Sequence, residues 1–120
     1  MTTIKIKRVY EKPGPSDGFL VLVDRLWPRG IKKENLEYDL WAKEITPSSE
    51  LRKWYHEDME NRWKSFGAKY VRELESSGQI EGFLEKIRHC KTVTLLYAAK
   101  DEKQNHAIVL KEYLDRKLKT

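Results

Sequence analysis

The 120-residue sequence predicts a small three-layer α/β domain, a mostly parallel sheet with helices packed on it. Three observations carry that expectation. Phe19–Val23 (FLVLV) and Val93–Ala99 (VTLLYAA) are two nearly unbroken apolar runs, each passing straight into charged residues. Runs of this length read as strands buried on both faces. Met59, Trp63, Phe66, Tyr70 and Leu74 recur at helical steps, so one side of a helix is dressed to cover such a sheet.

Taken in order, Thr2–Val9 alternates Ile4, Ile6 and Val9 with Lys5, Lys7 and Arg8, the pattern of a half-exposed strand with lysines blunting an edge. Lys12–Gly18 (KPGPSDG) is a turn or loop. It is too short for a crossover between adjacent parallel strands, so the first strand is either antiparallel to the second or not its neighbour. The second strand ends in Asp24-Arg25, followed by Leu26-Trp27-Pro28-Arg29-Gly30. Here Gly30 permits a positive φ or a close backbone approach. A polar connection over residues 31–40 follows. Thr46 is then expected to cap a short helix, with Pro47 in its first position and Leu51, Trp54 and Tyr55 along it.

Met59–Ser76 is the clearest helix, with Gly78 placed to end it. Gln79–His89 forms another, carrying Ile80, Phe83, Leu84 and Ile87 on one side. After the strand Thr92–Ala98, a last helix from about Lys103 buries Ala107, Leu110, Leu114 and Leu118. Its Arg116, Lys117 and Lys119 suit the negative end of the helix dipole.

Length and composition indicate one domain over residues 1–120, large enough to bury a core without metal or disulfide staples. The single cysteine, Cys90, fits a reducing cytoplasm. With no long apolar stretch and no secretory signal, the sequence reads as cytoplasmic and free of membrane. Twenty-four Lys and Arg against nineteen Asp and Glu give a net charge of +5, which favours anionic partners weakly.

Three stretches carry candidate chemistry. In the first, Arg25 and Arg29 offer planar forks to a carboxylate or phosphate, and Asp24 can act as a base. Charged residues at the carboxyl end of a buried strand lie where open α/β sheets bind ligands. In the second, Trp41–Tyr55, Lys43 and Arg52 flank a helix start whose free N–H groups favour anions. In the third, Lys100, Asn105 and His106 lie between a strand end and a helix. There His106 can serve as acid or base, and Asn105 can donate to an oxyanion. Structural roles compete throughout: an Asp–Arg network at a strand end, ordinary capping at the helix starts, and Asp101 as cap of the last helix. His56 reads as exposed and of little functional weight. His56, His89, His106 and Cys90 are too dispersed for a zinc site, and no Gly-rich phosphate loop or other cofactor motif is present.

The segments LVDRLWPRG, W-x-KE-x-x-PS-x-ELRKWY and LLYAAKDE-x-x-NHA-x-VL, in that order, resemble the YeaO-like bacterial proteins, a branch of a larger domain-of-unknown-function family. The resemblance spans about Ile6 to Leu114. It implies a compact cytoplasmic α/β protein and no particular activity. Broader relatives carry a Val-Asp-Val-Arg-like strand end, similar to Val23-Asp24-Arg25, and a Cys-His-Arg element opening the last helix. This chain has Asn105-His106-Ala107 at the second place, so only His106 of that element carries over.

The leading expectation is a pocket for a small anion, phosphate-like or nucleotide-like, at the carboxyl edge of the sheet. Asp24, Arg25, Arg29, Lys100, Asn105 and His106 build it, and Arg52 and Lys43 close it. In an enzymatic version Asp24 or His106 handles protons while Arg25 and Asn105 stabilise developing negative charge. The alternatives are a nucleic-acid-binding module, from a pI near 9.3 and the basic groups Lys5–Arg8 and Arg29–Lys33, and a non-catalytic interaction protein.

Overall fold

A computed structural model describes residues 2–119. The elements run β1 (Thr3–Arg8), β2 (Phe19–Leu22), β3 (Leu40–Trp41), α1 (Ser49–His56), α2 (Met59–Ser76), α3 (Ile80–Arg88), β4 (Thr92–Tyr97) and α4 (His106–Leu118). Short 3-10 turns occupy Pro15–Asp17, Lys33–Asn35 and Lys43–Ile45. The strands form one sheet in the order β1-β4-β2-β3, and every pair is parallel.

Residues of β2 and β4 alternate between two apolar layers, which is why both read as continuous apolar runs. Val21, Val23, Val93, Leu95 and Tyr97 join the main core with Leu51 and Tyr55 of α1, Phe66, Tyr70 and Leu74 of α2, and the inner faces of α3 and α4. Leu20, Leu22 and Leu96 form a second cluster with Val9, roofed by Trp27, Ile31, Leu36 and Trp41. The layer opposite the helices is therefore the long connection between β2 and β3. Strand β3 comprises only Leu40 and Trp41, too few residues to show a two-residue period, and the sequence reading passes over it.

β1 pairs with β4, from Thr3 opposite Thr92 to Arg8 opposite Tyr97, so it is not a neighbour of β2. The link between β1 and β2 crosses β4, where the Thr94 hydroxyl donates to the Asp17 carbonyl at 2.7 Å. Asp17, 2% exposed, anchors the crossing. Its carboxylate accepts from Lys5 Nζ at 2.7 Å, Lys7 Nζ at 2.6 Å and the Gly14 N–H at 2.8 Å. The Lys5 and Lys7 ammonium groups hold this carboxyl well below the usual carboxylate range, against burial, which pushes it up. Gly18 follows at φ 65°, and a β-carbon there would lie 2.3 Å from the Thr92 carbonyl oxygen. Only glycine fits.

Three helix boundaries differ from the sequence expectation. Ser48 rather than Thr46 caps α1: its Oγ accepts from the Leu51 N–H, and its own N–H and hydroxyl donate to Glu73 of α2 at 2.9 and 2.6 Å. Thr46 instead donates its hydroxyl to the Lys43 carbonyl. Gly78 is not a left-handed terminator of α2, since among the described residues only Gly18 and Gly30 have positive φ. The last helix starts at His106, not near Lys103, because the Asn105 side chain accepts from the Ile108 N–H and caps it. Asp101 accepts from the N–H groups of Lys103 and Gln104 and so turns the preceding loop instead of capping the helix.

Candidate functional site

β2 and β4 lie side by side, and beyond their carboxyl ends the chain departs differently, toward β3 from one and into α4 from the other. Such a divergence opens a crevice. A cavity of about 510 Å³ lies there, lined by residues 24–29, by Ala98–Lys100 and Gln104–His106, and by Arg52, Tyr55, His56, Met59 and Phe66 of α1 and α2.

Asp24 holds the floor in place. Its Oδ2 accepts from the Ala98 N–H at 3.0 Å, and its carbonyl accepts from the Trp41 indole at 2.7 Å. His106 Nε2 lies 2.9 Å from the Val23 carbonyl oxygen. A carbonyl only accepts, so Nε2 carries the hydrogen and donates it, leaving Nδ1 unprotonated in the neutral ring. The same Nε2 is 2.9 Å from Asp24 Oδ1, yet its N–H is directed at Val23. Oδ1 is consequently buried without a hydrogen bond, and it meets the imidazole only as a nearby negative charge. Nδ1 has no partner among the described residues.

Seven of the eight sequence-derived candidates line this cavity: Asp24, Arg25, Arg29, Arg52, Lys100, Asn105 and His106. Lys43 does not. Its ammonium sits over the Trp41 ring, 4.3 Å from the centroid. Asn105 touches the cavity but first serves the fold: its Oδ1 caps α4 and its Nδ2 donates to the Asp101 carbonyl at 2.8 Å. Arg25 also borders a smaller cavity of about 200 Å³ against Glu44, Ser48 and Glu73.

Arg25, Arg29, Arg52 and Lys100 form no side-chain ion pair or hydrogen bond among the described residues, although all four border one cavity. Elsewhere Lys5, Lys7, Arg62, Arg88 and Lys111 each have a carboxylate partner. Arg8 donates to the carbonyls of Ala98 and Ala99. The basic run Lys5–Arg8 is therefore engaged within the chain.

The aromatic wall was hidden in the sequence. Tyr55 and Phe66 stack with centroids 4.4 Å apart, and their positions on helical stripes marked them only as core. Burial first, and the Asp101 charge second, push the Tyr55 phenol up, so it is neutral at physiological pH. Trp27, Tyr10, Pro47, Met59 and His56 also line it. For His56, exposure alone hid its place beside the cavity. Among the described residues no cluster of three or more His, Cys, Asp or Glu side chains is placed to hold a metal ion, and no helix is long and apolar enough to cross a membrane.

Over residues 3–120 the chain matches the family described as "Inactive DUF488-N3 subclade". It is 49% identical over 111 residues to the uncharacterized protein YeaO of Escherichia coli K12, covering 92% of this chain and 96% of that protein. It is 40% identical over 114 residues, 95% of each chain, to the uncharacterized proteins Mb3100c of Mycobacterium bovis and Rv3073c of Mycobacterium tuberculosis. No solved structure gives a significant match.

Proposed function

We propose, from the premise that the chain belongs to the inactive DUF488-N3 subclade, that it binds a small anionic ligand in the cavity beyond β2 and β4. The observation that carries this reading is the set of four unpaired cations, Arg25, Arg29, Arg52 and Lys100, around one concavity. Unpaired guanidinium groups offer planar forks to carboxylate or phosphate. The family description favours binding over turnover, and Asp24 and His106 then shape the floor rather than transfer protons. A lone cysteine and bacterial relatives support a bacterial, cytoplasmic setting. The engagement of Lys5–Arg8 within the chain weighs against a continuous nucleic-acid-binding face.

Thermal-shift screening against phosphates, nucleotides, organic acids and short oligonucleotides, each at two salt concentrations, tests the reading. A ligand at about 100 times its Kd stabilises the folded state by about 2.7 kcal/mol. A small anion is expected to raise the melting temperature of the wild type and much less that of Arg25→Ala. Stabilisation by oligonucleotides alone, lost steeply with salt, would instead support nucleic-acid binding. Stabilisation by no probe would favour a protein partner.

A further inference from the structure

We infer that the occupant of this cavity is an aromatic anion, a planar apolar ring bearing a phosphate or carboxylate, with the ring inserted and the charge at the mouth. The inference rests on the anion reading above and adds the ligand's body and direction. Volume is the first argument. About 510 Å³ lies in the roughly 300–1,000 Å³ range of small-molecule sites, several times what a bare phosphate or carboxylate fills.

The second argument is the ordering of chemistry from depth to surface. Phe66 and Tyr55 border the cavity but are only 2% and 6% exposed and stack on each other, so they give it an apolar inner lining of ring edges, which suits an apolar ring. The four cations lie further out: Arg25, Arg29 and Lys100 are exposed and Arg52 is half-buried. An anion driven to the floor would meet the Asp24 carboxylate, whose side chain is only 13% exposed, and like charges repel strongly where solvent is scarce. An anion at the mouth meets guanidinium groups in water. Leu26 and Met59, 66% and 41% exposed, are the third argument. Both border the cavity, so its apolar lining continues out to the mouth, where the outer edge of an inserted ring meets the cations.

Calorimetric titration of the full chain with phenyl phosphate and 1-naphthoate, against inorganic phosphate, acetate and benzyl alcohol, tests this. The ring anions are expected to bind about tenfold or more tightly than the bare anions, from burial of one aromatic ring. Arg25→Ala, an exposed and unpaired position whose folding is checked by its melting temperature, is expected to lose about tenfold of that affinity. Equal affinity for phosphate and phenyl phosphate overturns the aromatic body and leaves the anion reading standing. Benzyl alcohol binding as tightly as phenyl phosphate overturns the anion reading and this inference with it, as does binding by none of the probes. Ring-anion affinity unchanged in Arg25→Ala places the ligand elsewhere and overturns the inference.

Discussion

Asp24 Oδ2 accepts the Ala98 N–H at 3.0 Å, so one carboxylate joins the carboxyl ends of β2 and β4, the two strands whose loops make the cavity. Replacing the carboxylate removes that link and releases His106 from a neighbouring charge. Asp24→Ala is expected to cost about 1–3 kcal/mol, leaving the Ala98 N–H unpaired. Asp24→Asn keeps an acceptor oxygen and is expected to cost clearly less. Urea denaturation of both variants checks the order, and equal losses would mean that charge rather than the hydrogen bond matters.

Asp17 sets an acid limit. Its native carboxyl is held well below the usual range by Lys5 and Lys7, so folding favours the ionised form. That stability is present above the unfolded value of about 4 and is lost as pH falls from there through the depressed native value. Asp17→Asn is therefore expected to unfold more easily at neutral pH and to show a flatter stability profile below about pH 4. Acid titrations followed by circular dichroism distinguish the two curves.

Gly18 and Gly30 both have positive φ, at 65° and 79°, but their surroundings differ. A β-carbon at Gly18 collides with Thr92, whereas one at Gly30 meets nothing within 4 Å. Gly30→Ala is expected to cost about 1–2 kcal/mol from backbone strain alone. Gly18→Ala is expected to cost more, because the crossing over β4 must also shift. Thermal melts of the two variants should separate them, by about 4 °C per kcal/mol at this size.

Tyr70 is buried in the main core, and its hydroxyl donates to the Ile45 carbonyl at 2.7 Å. Burial, aided by the Glu73 charge, pushes its phenol far up, so the donor hydrogen is retained at every working pH. Tyr70→Phe leaves the ring packing intact and strands one acceptor, with an expected cost of about 1–2 kcal/mol. A change in the denaturation midpoint without a change in slope would confirm that the loss is local.

The fold class was legible because β2 and β4 are buried on both faces and α2 presents one apolar stripe, patterns that arise directly from periodicity. Most of the candidate site followed, since residues just past Val23 and Tyr97 have to sit at the edge where those strands end. What the sequence could not reveal depends on contacts between distant segments. Ser48 wins over Thr46 as the α1 cap because Glu73, a residue of the next helix, receives both of its donors. Lys43 leaves the cavity for the Trp41 ring, a choice with no local signature. Tyr55 and Phe66 sit on core stripes, and nothing in a stripe says that one edge of it opens on a cavity.

Among the described residues β1 has one strand neighbour, β4, which begins at Thr92. During synthesis the first strand is therefore made long before its partner exists. The same holds for β2, whose pairs are a two-residue strand and β4. Until the fourth strand emerges, Phe19–Val23 has no adequate cover, and the chain carries an apolar, β-prone segment into a crowded environment. Non-local pairing of this kind slows folding and lengthens exposure to aggregation. Asp17 just before that segment and Asp24 and Arg25 just after it flank it as charged gatekeepers, so residues that serve the finished sheet also protect the unfinished one.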